Sequence, residues 1–186
     1  MFQYNQDGDG IDHINCYSKG ATLLGRMMSN FYKSKFIVDG KEYYTMEHFW
    51  YTHYIEFILN KFPERIEFID FSNADSIESD LDSMRKIDGY SVKLRCEDLI
   101  KDLTMNNNGV SFRINEDIHA NPSAFRGKIK LGITNKIIQN QKIYEEFLAN
   151  ELPMCHYYHG KLIVPRHGWL FTDFLGKLAR KMREEQ

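Results

Sequence analysis

Asp39-Gly40 is the pair that most narrows what this chain can fold into. Both residue types tolerate the positive φ that a tight type I′ turn demands, and the flanks Lys35–Val38 and Glu42–Tyr44 carry aromatic and β-branched residues suited to strands. A β-hairpin follows. Thr45 stands directly behind it and can cap a helix over the apolar, aromatic stretch beyond, with Glu47 in its first turn, where the positive helix end favours an ionised carboxylate. The run from Gly25 to Tyr51 therefore converges on one acidic side chain at a strand-to-helix corner, which makes Glu47 the first candidate for an active site.

The chain has 186 residues, 42% of them hydrophobic, enough for one ordinary core and one domain. Its net charge is -2, from 24 basic and 26 acidic residues, so any contact with nucleic acid must come from a local basic patch. Cys16, Cys96 and Cys155 are odd in number and form no CxxC pair, and no apolar leader follows Met1. A soluble protein of the reducing cytoplasm is expected. No apolar run approaches the roughly 20 residues a membrane span needs, so no membrane partner is expected. Aromatic residues make up 14%, with Tyr32, Tyr43, Tyr44, Phe49, Trp50, Tyr51 and Tyr54 in one neighbourhood. Most read as packing, and a few as the lining of a pocket for a flat base.

The remaining pattern is organised as short elements without a linker, an internal repeat or a low-complexity tract. The first ten residues are polar and expected to be loose, and His13–Tyr17 alternates as a strand. After the Thr45-capped helix come a short apolar segment at Ile66–Phe71 and an acidic helix from Asn73 or Asp75 toward Lys86, stopped by Asp88-Gly89. A helix over Val92–Leu103 precedes an exposed loop, Met105–Asn121. Pro122 fits the first position of a helix running to about Gln139, followed by a helix over Gln141–Ala149. Tyr157–Val164 resembles a strand, and Leu170–Arg183 a closing helix.

Several motifs fail on spacing. Asn5, Asp7, Asp9 and Gly10 open like a calcium loop, but its twelfth position is Cys16 and no helix can precede it. Cys155, His156, His159 and His167 match no closed zinc pattern, and alternating strand faces scatter them, so no metal is expected. No cofactor is expected either. His156 alone reads as a substrate contact or as a hydrogen-bonded structural histidine. Arg126, Lys128, Lys130 and Lys136 form a basic helix segment that reads as a solvated face or as a contact for a diphosphate. Lys177, Arg180, Lys181 and Arg183 complement the end of the last helix. The sequence lacks a P-loop, a GxGxxG after a strand and a GxSxG elbow, which removes phosphate transfer, dinucleotide redox chemistry and serine hydrolysis.

Taken together, SNFYKSKFIVDGKEYYTMEHFW at Ser29–Trp50, KIIQN at Lys136–Asn140 and DFLGKLARKMR at Asp173–Arg183 resemble the NADAR, or YbiA-like, family. Members carry an SNF[YF]xxxF segment, a VDGxxYxTxEH hairpin and helix, a KFxQN helix end and an NxLGKxLMxxR terminus in this order, so the resemblance spans about Tyr17 to Arg183. It implies a compact, predominantly helical α+β single domain over residues 1–186 with a small β-hairpin or sheet. It also implies an N-glycosidase that cleaves a ribose C1′–N bond. Substrates of the family are ADP-ribose attached to guanine in nucleic acid and phosphorylated ribosylamino intermediates of riboflavin synthesis. Glu47 matches the family's active-site glutamate, Asn30 its substrate-proximal polar position, and Asp173 stands at the usual asparagine of the terminal motif. Phe125 occupies the place of a lysine found upstream of KFxQN in many members. A glycine-rich DxYWGxG segment is shortened to Arg166-His-Gly-Trp169.

On this reading the expected substrate is ADP-ribosylated guanine, most plausibly in DNA, and the expected partner is ADP-ribosylated nucleic acid or an ADP-ribose-like nucleotide. A small riboflavin-pathway intermediate is the alternative substrate, and a non-catalytic ADP-ribose-binding module the alternative of another class. Glu47 would stabilise the positive charge that develops on the ribose and orient water. His156 or a tyrosine hydroxyl would assist the leaving base, Asn30 would hold ribose hydroxyls, and Arg26 or Lys128 would meet phosphate. Trp50 or Trp169 would stack on a base, and Tyr32 completes the substrate-binding set. The structural alternatives are a carboxylate that only complements the helix dipole for Glu47, a turn residue for Asn30 and core packing for Trp169.

Overall fold

Positive φ values of 51° at Asp39 and 76° at Gly40 build the tight turn that this dipeptide predicts. The structure is a computed structural model and describes residues 5–61, 76–84, 87–104, 122–158 and 170–185. In chain order its elements are a 3-10 turn at Gln6–Gly8, β1 (Ile14–Asn15), α1 (Leu23–Met28), β2 (Phe36–Val38), β3 (Lys41–Tyr43), α2 (Met46–Lys61) and α3 (Ile77–Ser83). They continue with α4 (Gly89–Thr104), α5 (Pro122–Ile138), α6 (Gln141–Ala149), β4 (Met154–Cys155), a π-helical segment at Leu170–Leu175 and α7 (Gly176–Glu184). This is a predominantly helical α+β fold. Its described strands form two pairs: β2 and β3 antiparallel about the turn, with Val38 opposite Lys41, and β1 and β4 parallel, with Asn15 opposite Cys155.

The hairpin and α2 are joined as the local sequence demands. Phe36 and Val38 face inward while Ile37 faces solvent, and Phe36 stacks on Tyr43 at 5.7 Å between ring centres. Thr45 Oγ1 accepts the His48 N–H at 3.1 Å and so starts α2. That helix packs on both α4 and α5. Its buried Phe49, Ile55 and Ile58 meet a core supplied by Val92, Cys96 and Leu99 of α4 and by Ile129, Ile133 and Ile137 of α5. Gly132 sets how near α5 can come: a Cβ there would lie 2.4 Å from Phe49 Cε1, so a larger residue would push the two helices apart.

Two local expectations are corrected. The amino-terminal segment is held from Gln6 onward, because the buried Asp9 carboxylate accepts the Asn15 N–H at 2.9 Å and the Ala21 N–H at 2.7 Å. Asp88-Gly89 opens α4 and does not close α3, since Asp88 Oδ1 accepts the Tyr90 and Ser91 N–H groups at 3.0 Å each. Of the strand expected at Tyr157–Val164 only Tyr157 and Tyr158 are described, and the paired residues just before them are Met154–Cys155. Beyond that pair the Asn15 side chain takes both backbone groups of Tyr157, donating to its carbonyl at 3.2 Å and accepting its N–H at 3.1 Å, where a neighbouring strand would otherwise pair. The Ile66–Phe71 segment, the Asn73 and Asp75 helix starts, the Met105–Asn121 loop, residues 159–164 and His167 lie outside the described residues.

The carboxyl end of α5 locks the hairpin in place. Gln139 reads the exposed edge of β2 as a strand would, its Oε1 accepting the Ile37 N–H at 2.7 Å and its Nε2 donating to the Ile37 carbonyl at 2.9 Å. Asn140 Nδ2 donates to the Lys35 carbonyl at 3.0 Å, and Lys136 Nζ to the Ser29 carbonyl at 2.8 Å. The polar residues of Lys136-Ile-Ile-Gln139-Asn140 thus grip the backbone of residues 29–37 from a distance of about a hundred positions in sequence. Edge groups that would face water are satisfied by side chains instead.

Candidate active site

Three segments converge beside the first turn of α2 to enclose a cavity of about 680 Å³. The turn after α1 contributes Ser29, Asn30 and Phe31, α2 contributes Glu47, Trp50 and Tyr51, and the start of α4 contributes Asp88, Gly89, Tyr90, Lys93 and Glu97. Glu47, Trp50 and Tyr51 share one face because they are spaced i, i+3 and i+4. Cys16 to Lys19 behind β1, Ile129 and Ile133 of α5, His156, Tyr158 and Leu170 complete the wall.

Glu47 is the buried acid of this cavity, 8% exposed. Its backbone N–H donates to the Asn30 carbonyl at 3.0 Å, and the Asn30 side chain beside it favours its ionised form. Burial pushes its carboxyl up to about 7; the Asn30 side chain and Lys93 pull it back, and Glu97 adds to the rise. The expectation of a carboxylate kept ionised by the helix end is therefore corrected. The dipole contributes about 0.3–1 kcal/mol toward ionisation, whereas the rise to about 7 represents about 3 kcal/mol against it. Desolvation wins, and Glu47 is poised to hold or release a proton near neutrality.

Its neighbours are ordered for the same purpose. Tyr51 donates to Glu97 Oε1 at 3.3 Å, and burial followed by the Glu47 and Glu97 charges holds its hydroxyl protonated, far above the ordinary tyrosine range. Trp50 is braced edge-on by Phe125 at 5.1 Å, so the Phe125 ring supports the wall of the cavity. His156 donates from Nδ1 to the Cys16 carbonyl at 2.8 Å, and burial lowers its pKa. The ring is therefore neutral at pH 7, with Nε2 as its acceptor nitrogen. A neutral ring of this tautomer accepts a hydrogen bond at Nε2 more readily than it donates a proton.

Of the residues expected at the site, Glu47, Asn30, Trp50 and His156 line the cavity, while Arg26, Tyr32, Lys128 and Asp173 do not. Arg26 donates to the carbonyls of Gly20 at 2.9 Å and Ala21 at 2.8 Å, closing the loop before α1. Lys128 pairs with Asp39 at the tip of the hairpin. Tyr32 lies beneath the Lys136 ammonium, and Asp173 is exposed on the π-helical segment. Trp169 lies outside the described residues. Among the described residues, no three His, Cys, Asp or Glu side chains are grouped so as to hold a metal ion.

The sequence reading missed Tyr51, Lys93, Glu97 and Lys136. Tyr51 was within reach, one helical turn beyond Glu47 on the same face. Lys93 and Glu97 needed the packing of α4 on α2, which no local pattern announces. Lys136, which the sequence places in a basic segment suited to solvent or to a diphosphate, is 1% exposed, and burial lowers its ammonium to about 7. Compared with family models, curated proteins and solved structures, the chain finds no match. No described helix is long and apolar enough to cross a membrane.

Proposed function

We propose that this protein is a NADAR-type N-glycosidase that hydrolyses a ribose C1′–N bond, removing ADP-ribose from ADP-ribosylated guanine in DNA. The observation that carries the reading is Glu47: a buried carboxyl raised to about 7, beside Asn30, on the wall of a cavity sized for a nucleotide. Departure of the base leaves oxocarbenium-like charge on the ribose, which the buried Glu47 carboxylate stabilises at short range. The same carboxylate takes a proton from the attacking water as its oxygen bonds to C1′. The C1′–N bond electrons leave with the guanine nitrogen, which receives a proton, so the products are ADP-ribose and the unmodified base. Trp50 and Tyr51 offer aromatic faces to a base, and neutral His156 offers an acceptor to one of its N–H groups.

The test compares the protein with its Glu47→Gln variant on single-stranded DNA carrying ADP-ribosylated guanine, following release of ADP-ribose by chromatography. Release by the unmodified protein alone supports both the reaction and the role of Glu47. Full release by the variant removes Glu47 from the chemistry. No release by either protein moves the activity to phosphorylated riboflavin intermediates, and tight ADP-ribose binding without turnover on either substrate makes the cavity a binding module.

A further inference from the structure

Lys136 is among the most deeply buried side chains in the protein, and its ammonium faces no carboxylate at hydrogen-bonding distance among the described residues. It donates to the Ser29 carbonyl at 2.8 Å, and that carbonyl also accepts the Tyr32 N–H at 3.2 Å. Ser29 to Tyr32 is thus a hydrogen-bonded β-turn whose two central residues are Asn30 and Phe31. The Tyr32 ring lies 5.7 Å from the same ammonium, in range of a cation–π contact. The buried Lys136 amine therefore reaches both corners of the turn. Between those corners, the Asn30 carbonyl accepts the Glu47 N–H at 3.0 Å.

We propose that Lys136 is a positioning residue: it clamps the Ser29–Tyr32 turn so that Asn30 stays against Glu47. The burial of an ammonium is costly unless hydrogen bonds offset it, and a lysine used only to fill space would be better replaced by an apolar side chain of similar length. Ser29 also ends α1, so the ammonium sits where carbonyls of a helix end lack partners. Lys136 does not line the cavity, and its effect must pass through the turn. Titratable groups facing Lys136 are Cys16, whose thiol is coupled to it, and Tyr32; those facing Glu47 are Tyr51 on its own helix and Lys93 and Glu97 on α4.

This inference rests on the glycosidase reading for its rate measurements but not for its titration. Lys136→Met keeps the length and removes the nitrogen that donates to the Ser29 carbonyl. Tyr32→Leu, a milder change, removes only the ring beneath the ammonium. Expected for both is a fall in kcat, about 100-fold for Lys136→Met, with little change in KM. The acid limb of the pH-rate profile should move to higher pH, because the Asn30 side chain that lowers the Glu47 pKa is loosened. Titration of the Glu47 carboxyl carbon by NMR, assigned with Glu47→Gln, should show the same upward movement, and neither variant should move it further in an Asn30→Ala background. A variant that melts earlier while its acid limb and Glu47 titration stay in place overturns the clamp and leaves Lys136 a structural residue. Should the protein prove inactive on every substrate, the NMR titration still decides the clamp, so the two readings fail separately.

Discussion

Replacing Glu47 with glutamine is expected to stabilise the protein as the pH rises. The folded carboxyl titrates at about 7 and an unfolded glutamate near 4.5. Because the folded state holds this proton more tightly, the contribution of Glu47 to stability is fully present below about pH 4.5 and is lost as the pH rises through about 7. Above that point the fold carries a buried negative charge that costs about 3 kcal/mol. Glutamine has the same shape and never ionises. Near pH 4.5 the two proteins should be nearly equal in stability, and by pH 8 the variant should be ahead by about 3 kcal/mol, roughly 6–12 °C in Tm for a chain of this size. Urea unfolding at a series of pH values measures this directly, provided the slope with denaturant is the same for both. All other titrating groups are shared, so to first order they cancel in the difference. A gap that stays constant between pH 5 and 8, or a variant less stable than its parent at pH 8, would refute the claim that the Glu47 carboxylate is desolvated.

Two further outcomes bear on the site. If the Glu47 carboxylate is the base, kcat/KM should fall about tenfold per pH unit below about 7; a profile flat from pH 5 to 8 would exclude it. Lys128→Ala breaks only the pair with Asp39 at the hairpin tip, so kcat and KM should keep their wild-type values, and a raised KM would return Lys128 to phosphate binding.

The hairpin, the start of α2 and the bounds of α6 were legible because each is decided within a few residues. A two-residue turn needs positive φ, and Asp39-Gly40 supplies it; a helix start needs an acceptor, and Thr45 supplies it. Asp88 was misassigned between neighbouring elements for a related reason: a capping side chain beside a glycine reads equally well as an end or a beginning until the hydrogen bonds are seen. Asp9 looked like loop polarity because its two N–H partners, at Asn15 and Ala21, lie beyond the range of local patterns.

The sequence by itself determined the corner at which Glu47 stands and, by helical spacing, that Trp50 shares its face. It could not determine the protonation of Glu47, which depends on how much water α4, α5 and the turn after α1 exclude from it. Nor could it separate Lys136 from Lys128 and Lys130, similar residues on one helix. Tertiary packing alone decided that Lys128 meets the hairpin tip, that Lys130 stays exposed and that Lys136 is driven inward to the Ser29 carbonyl. Local geometry is set by backbone torsions and nearby hydrogen bonds; the charge state of a buried group is set by the solvent removed from it, and solvent is removed only by the assembled fold.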